Sequence, residues 1–217
     1  MKDQNMRAAC IAAITMLLLA RPASAMDPSP QTLTLGERYM TATGGIHDTL
    51  EQQVYAAAGI MGDTPASHAH QQAWLDATDK HRAEIDALDL KLAALLAQTF
   101  NEAELQTAVA FLESPEGRSI TQKKHAYFAA LFARDRPSLT FTPQEQAALA
   151  AYDQLPEAIS MRAKMPVLLA QTMQLTQPLL QAIGRSAATI YCHASRRCTP
   201  GDSDFDQLSG PTLRERQ

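Results

Sequence analysis

Three groups of side chains in this 217-residue chain are of types that do chemistry. His68-Ala69-His70, with His81 downstream, offers imidazoles suited to zinc. No glutamate stands at the offset that would complete a His-Glu-x-x-His helix, and His68 and His70 point apart whether the segment is a loop or a helix start. His81 falls on an apolar row, where a satisfied core histidine is commoner than a ligand, so the expectation is no metal site. Cys192-His193 and Cys198, with Arg196-Arg197 between them, could depress a thiol pKa. Their spacing is not Cys-x-x-Cys, and the expectation is a structural disulfide between Cys192 and Cys198. Glu104 with Glu145, or Glu116 with Glu157, could serve as paired acid and base. All four lie in first turns of expected helices, where capping and the helix dipole explain them without chemistry. There is no Gly-x-Ser-x-Gly, phosphate loop or dinucleotide fingerprint. The residues therefore lead us to expect no catalytic group, no cofactor and no enzyme.

The glutamates belong to an internal repeat. Phe100–Ile120, FNEAELQTAVAFLESPEGRSI, returns 41 residues later as Phe141–Met161, FTPQEQAALAAYDQLPEAISM. Phe100 aligns with Phe141, Glu104 with Glu145, Phe111 with Tyr152, Pro115 with Pro156 and Ser119 with Ser160, and Lys123 and Lys164 continue the register. Most of these positions have a folding role. Asn101 reads as an N-cap with Glu104 three residues on, a capping box, and Phe100 can staple onto Leu105. Ser114-Pro115 reads as the cap and first residue of the following helix. Gly117, unfavourable in a first turn, suggests a close helix crossing; its counterpart Ala158 is also small. In the second copy Thr142 caps, Pro143 follows and Glu145 closes the box, while Gln146 replaces the staple leucine. The repeat units span about 100–134 and 141–191.

The remaining chain must hold these units in place. It has only three valines, Val54, Val109 and Val167, and is rich in Ala and Leu, a supply that favours helix over strand. Hydrophobic content of 46% is enough for a core. Lys2 and Arg7, an apolar run from Ala8 to Ala20 and the small-x-small site Ala23-Ser24-Ala25 read as a secretory signal peptide, 1–25, cleaved after Ala25. The apolar run is too short to span a membrane. Its removal leaves 16 basic against 22 acidic residues, a net charge of −6 that argues against a nucleic-acid partner. Residues 26–32 read as a linker. The helical domain, 33–198, begins with a helix from Leu33 interrupted at Gly44-Gly45, followed by a loop at Gly59–Ser67. A helix capped by Ser67 then carries the row Trp74, Ala77, His81, Ile85, Leu88, Leu92, Leu95, Thr99. After Pro156 one apolar row persists across Pro166 and Pro178, so one long kinked helix is expected to about Tyr191. Residues 199–217 read as a disordered tail. The fold expectation is all-α: an antiparallel bundle of about six helices containing two helix-turn-helix repeats.

The first repeat resembles the signature of a bacterial exported family, domain of unknown function 2059. An aromatic followed by a polar cap is Phe100-Asn101. The rest is Glu104-Leu105, Phe111 and Ser114-Pro115-Glu116-Gly117-Arg118. The resemblance extends over Leu92 to Phe132, and the second copy diverges, with Leu155 and Ala158 where Ser and Gly would stand. It implies a helical periplasmic protein and transfers no catalytic residue. The functional expectation is a non-enzymatic envelope protein that binds a protein or peptide in an inter-helix groove. Met161, Met165 and Met173 either line that groove or fill the core. A small apolar, lipid-like ligand and an enzyme of unrecognised type are the alternatives.

Overall fold

The computed structural model describes residues 27–61, 64–130 and 138–195. The expected leader (1–25), the tail (199–217) and Cys198 lie outside them. Every regular element among the described residues is an α-helix: α1 (Pro30–Thr43), α2 (Gly45–Met61), α3 (Pro65–Lys80), α4 (Arg82–Thr99), α5 (Glu102–Leu112), α6 (Pro115–Ala129), α7 (Pro143–Asp153) and α8 (Pro156–Ser195). None of them is long and apolar enough to cross a membrane.

Two of the six expected helices are divided. The first breaks at Gly44, whose φ of 83° ends α1 in the left-handed conformation, with Gly45 at φ 61° beside it. The second breaks at His81, between α3 and α4. The boundaries differ from expectation for a local reason in each case. Helix α1 starts at Pro30, inside the expected linker, because Ser29 accepts from the Thr32 N–H and Pro30 supplies a ready-made first residue. At α3 the cap is Thr64, again before a proline. Ser67 sits three residues on; its N–H donates to Thr64 Oγ1 and its Oγ accepts the Thr64 N–H, completing a capping box.

The core forms two apolar clusters joined by α8. The first gathers Leu35 of α1, Leu96 of α4, Phe100, Leu105 and Val109 beside and on α5, and Met161 and Leu168 of α8. The second gathers Leu50 of α2, Ala77 of α3, Ile85 of α4, and Ile183 and Ala187 of α8, with Trp74 against its side. At 40 residues α8 runs about 60 Å, long enough to serve both. Pro166 and Pro178 both lie within it on its exposed side, so the carbonyls they leave without an amide partner can turn to water. Close backbone approaches fix one crossing and one turn. A Cβ at Gly36 would stand 2.4 Å from the Ala93 carbonyl oxygen of α4, and one at Gly117 would stand 1.9 Å from the Phe111 carbonyl oxygen of α5. The small residue expected at Gly117 thus serves the turn between α5 and α6. There Ser114 Oγ donates to the Phe111 carbonyl and accepts from the Gly117 N–H.

Candidate functional site: a reciprocal lock and an uncovered helix face

The repeated residues come together across the copies. Glu104 of the first copy is only 2% exposed, and its Oε2 accepts the Asn101 N–H at 2.7 Å, closing the capping box. Its Oε1 accepts Ser160 Oγ at 2.5 Å, and Lys164 Nζ donates to both oxygens at 2.8 and 2.7 Å. Ser160 and Lys164 belong to the second copy, on α8. Glu145 of the second copy, 5% exposed, repeats this atom for atom with the first. Oε2 accepts the Thr142 N–H at 2.7 Å, Oε1 accepts Ser119 Oγ at 2.6 Å, and Lys123 Nζ donates to both oxygens at 2.8 and 2.6 Å. The equivalent rings Phe111 and Tyr152 stack on one another with centroids 4.4 Å apart. An aromatic stacked on its own counterpart, with two equivalent reciprocal ion pairs, is the arrangement of a two-fold interface built within one chain.

The electrostatics follow. Lys123, then Ser119 and the Thr142 N–H, hold the Glu145 carboxyl down to about 2. Burial alone would push Glu104 up; Lys164, Ser160 and the Asn101 N–H outweigh it and leave the carboxyl below its ordinary value. Both glutamates are therefore fixed anions, each spent on its cap and its lysine. They are not placed as an acid–base pair, since each faces its own lysine and serine. The other imagined pair is also apart: Gln144 donates to Glu116 at 2.6 Å, and Glu157 stands in the first turn of α8. The staple differs between copies as the residues imply. Phe100 and Leu105 share the first core cluster, whereas Gln146 donates to the Phe141 carbonyl at 3.0 Å.

No common groove receives the three methionines. Met161 is buried in the first cluster, Met165 packs against it, and Met173 is 71% exposed on the far side of α8. Nor do the three histidines converge: His70 and His81 are separated by eleven residues spanning α3, about 16 Å of helix. His70 instead lies on the Tyr191 ring at 3.9 Å, where burial pushes its imidazole down. His81 Nε2 bonds Ser186 Oγ at 2.9 Å and ties the α3–α4 break to α8. Cys192 lies in the last turns of α8, and its expected partner lies outside the described residues.

Several groupings escaped the sequence reading. Asp89 of α4 accepts the Ile46 N–H at 2.9 Å and so caps α2 from a distant element; burial pushes its carboxyl up. Arg38 of α1 forms a bidentate pair with Glu113, Nε to Oε1 at 2.9 Å and the second nitrogen to Oε2 at 2.5 Å, and holds that carboxyl down. An open cleft of about 390 Å³ lies beside this pair, with Gly44, Asp48, Arg118 and His125 on its walls. A second, of about 360 Å³, adjoins Gly44 and Gly45 on the Asp89 side. His47, Asp48 and Glu51 bring candidate ligand atoms within 4.8 Å of one another on one helical turn. The only sequence trace of this set is the His47–Glu51 spacing of four.

The outer face of α8 is apolar and uncovered. Ile159 is 53% exposed, Val167 61%, Leu169 56% and Met173 71%. Met165 to Gly184 contains no ionisable side chain. A solvated helix face normally carries charge, as α3 and α4 do.

Residues 86–133 match the model of a family described as "Uncharacterized protein conserved in bacteria (DUF2059)". The match takes in most of α4, all of α5 and α6 and the first-copy half of both locks, less than a quarter of the chain. No curated protein and no solved structure matches the chain.

Proposed function

We propose that this chain is an exported, non-enzymatic protein of the bacterial cell envelope, periplasmic after cleavage of its leader at Ala25, that binds a protein partner on the outer face of α8. The observation that carries the reading is the apolar exposure of Val167, Leu169 and Met173 on a stretch, Met165–Gly184, with no ionisable group, continued by exposed Ile159 toward the start of α8. Contiguous apolar surface of this kind marks interaction sites in proteins that otherwise bury such side chains. The repeated motif does not compete for the role, because its polar groups are consumed by caps and locks. The lipid-like ligand reading draws less support, since the clefts at Gly44 are open and bordered by Arg38, Asp48 and Asp89. The test is a photo-crosslinking amino acid placed at Met173 in intact cells, with Gln53, exposed on α2, as control. Adducts specific to position 173 support the reading. Absence of adducts, or equal capture at both positions, overturns it.

A further inference from the structure

Resting on that proposal, we infer that the partner on α8 is a second copy of this chain, docked antiparallel. The exposed face has a register of its own. Ile159, Ala163, Pro166, Ala170, Met173 and Gln177 are spaced four, three, four, three, four, the repeat by which helices pair along a seam, and all six are exposed. The inward row of α8, with Met161, Leu168 and Ile183, is already covered by α3, α4 and α5, so this second seam serves something outside the fold.

The seam complements itself. Its spacing is symmetric about residue 168, so a two-fold axis there sets Ile159 against Gln177, Ala163 against Met173 and Pro166 against Ala170 of the other copy. Met173 then meets Ala163 and Pro166 meets Ala170, larger against smaller, as knobs meet holes, while Ile159 and Gln177 close the two ends of the seam. The alanines let the helices approach closely.

Charge selects the orientation. The ionisable groups near this end of α8 are Glu157, Arg162, Lys164 and, before it, Asp153; beyond them Met165–Gly184 has none. Asp153 is engaged with Arg162 at 2.6 Å, and Lys164 with Glu104. An antiparallel copy lays the charged end of each helix against the uncharged half of the other, with Arg162 facing Gln174. A parallel copy would set Arg162 against Arg162, which costs energy. A partner rich in charge would find no complement along these five turns.

The contact is limited. From Ile159 to Gln177 is about 27 Å of helix about 10 Å wide, a footprint well below the ~800 Å² per partner of a standard stable complex. The dimer should therefore be reversible, populated at raised concentration or where export confines the chain.

Sedimentation velocity of the full mature chain over a concentration series tests this. The expected result is a monomer–dimer equilibrium whose dissociation constant rises about tenfold or more in Met173→Asp and in Ile159→Glu. Both positions are solvent-exposed, so the variants should melt with the parent. The orientation is read by rescue: Gln177→Lys added to Ile159→Glu should restore dimerisation. Failure of rescue while the single variant dissociates rules out the antiparallel register. A chain that stays monomeric throughout, with adducts at Met173 in cells that carry a different protein, overturns the second-copy inference and leaves partner binding standing. Adducts to residues 199–217 of the same chain give the face to the tail and overturn it as well. Monomer with no adducts overturns both readings.

Discussion

Lys164→Met removes the ammonium from one lock and keeps the aliphatic stem. Glu104 retains the Asn101 N–H and Ser160 Oγ but loses its two contacts to Lys164 Nζ, at 2.8 and 2.7 Å. A hydrogen bond to a charged group is worth about 1.5–3 kcal/mol net, and stranding one partner of a fully buried pair costs about 3–5 kcal/mol. The Lys164 side chain keeps 37% exposure, so water already screens part of the pair. We therefore expect a loss of about 1.5–3 kcal/mol at neutral pH, at the lower of those scales. The pH dependence follows from the direction of the shift. Glu104 titrates below its ordinary value of 4.5 in the folded chain, so the lock contributes fully above that value and is lost as pH falls through the lower, folded one. In the variant, burial is no longer outweighed by the lysine and the carboxyl moves up. The gap between parent and variant should accordingly be widest at neutral pH and narrow on acidification below 4.5. Urea unfolding at about pH 7 and about pH 4 measures both quantities. A difference under about 0.5 kcal/mol at neutral pH, or one that does not change with pH, would refute the reasoning.

Three further outcomes are expected. Gly117→Leu should cost about 1–3 kcal/mol by overpacking, because even a Cβ meets the Phe111 carbonyl; an unchanged melting temperature would remove that role. Asn101→Ala and Thr142→Ala should each cost about 1 kcal/mol through loss of an N-cap, read by urea unfolding, and additive costs are not expected because both caps feed the same two-copy interface. Cys192 and Cys198 should resist alkylation in exported protein until reduced; two thiols alkylated without reductant would exclude the bridge.

The helix starts of the repeat were legible in the chain. Asn101 with Glu104, Thr142 with Glu145 and Ser114 with Pro115 are local devices, and local sequence specifies them. What each capping glutamate does with its remaining valences was not legible. Its partners lie 56 and 60 residues away for Glu104, and 26 and 22 for Glu145, so tertiary packing selects them. One trace was present: Ser119 and Ser160, with Lys123 and Lys164, recur in register at positions no cap requires. Recurrence beyond the local need is the signature of a contact made twice. The break at His81 was hidden because the apolar row runs through it unchanged, from Ala77 to Ile85. The outer face of α8 was hidden for the opposite reason: apolar residues on two sides of one helix blur the periodicity that tells inside from outside. Met173 and Met161 read alike in sequence, yet the first is exposed and the second buried in the fold.

The central claim is that the duplicated motif is a folding device, two glutamates each locked by the lysine and serine of the other copy. Titration of the glutamate side-chain carboxyls by carbon-detected NMR, with Glu104 and Glu145 assigned by single Gln substitutions, tests it most directly. The account predicts that both titrate below their ordinary value of 4.5, with Glu145 at about 2. Either carboxyl titrating at or above 4.5 would mean that its lysine is not there, and would contradict the lock.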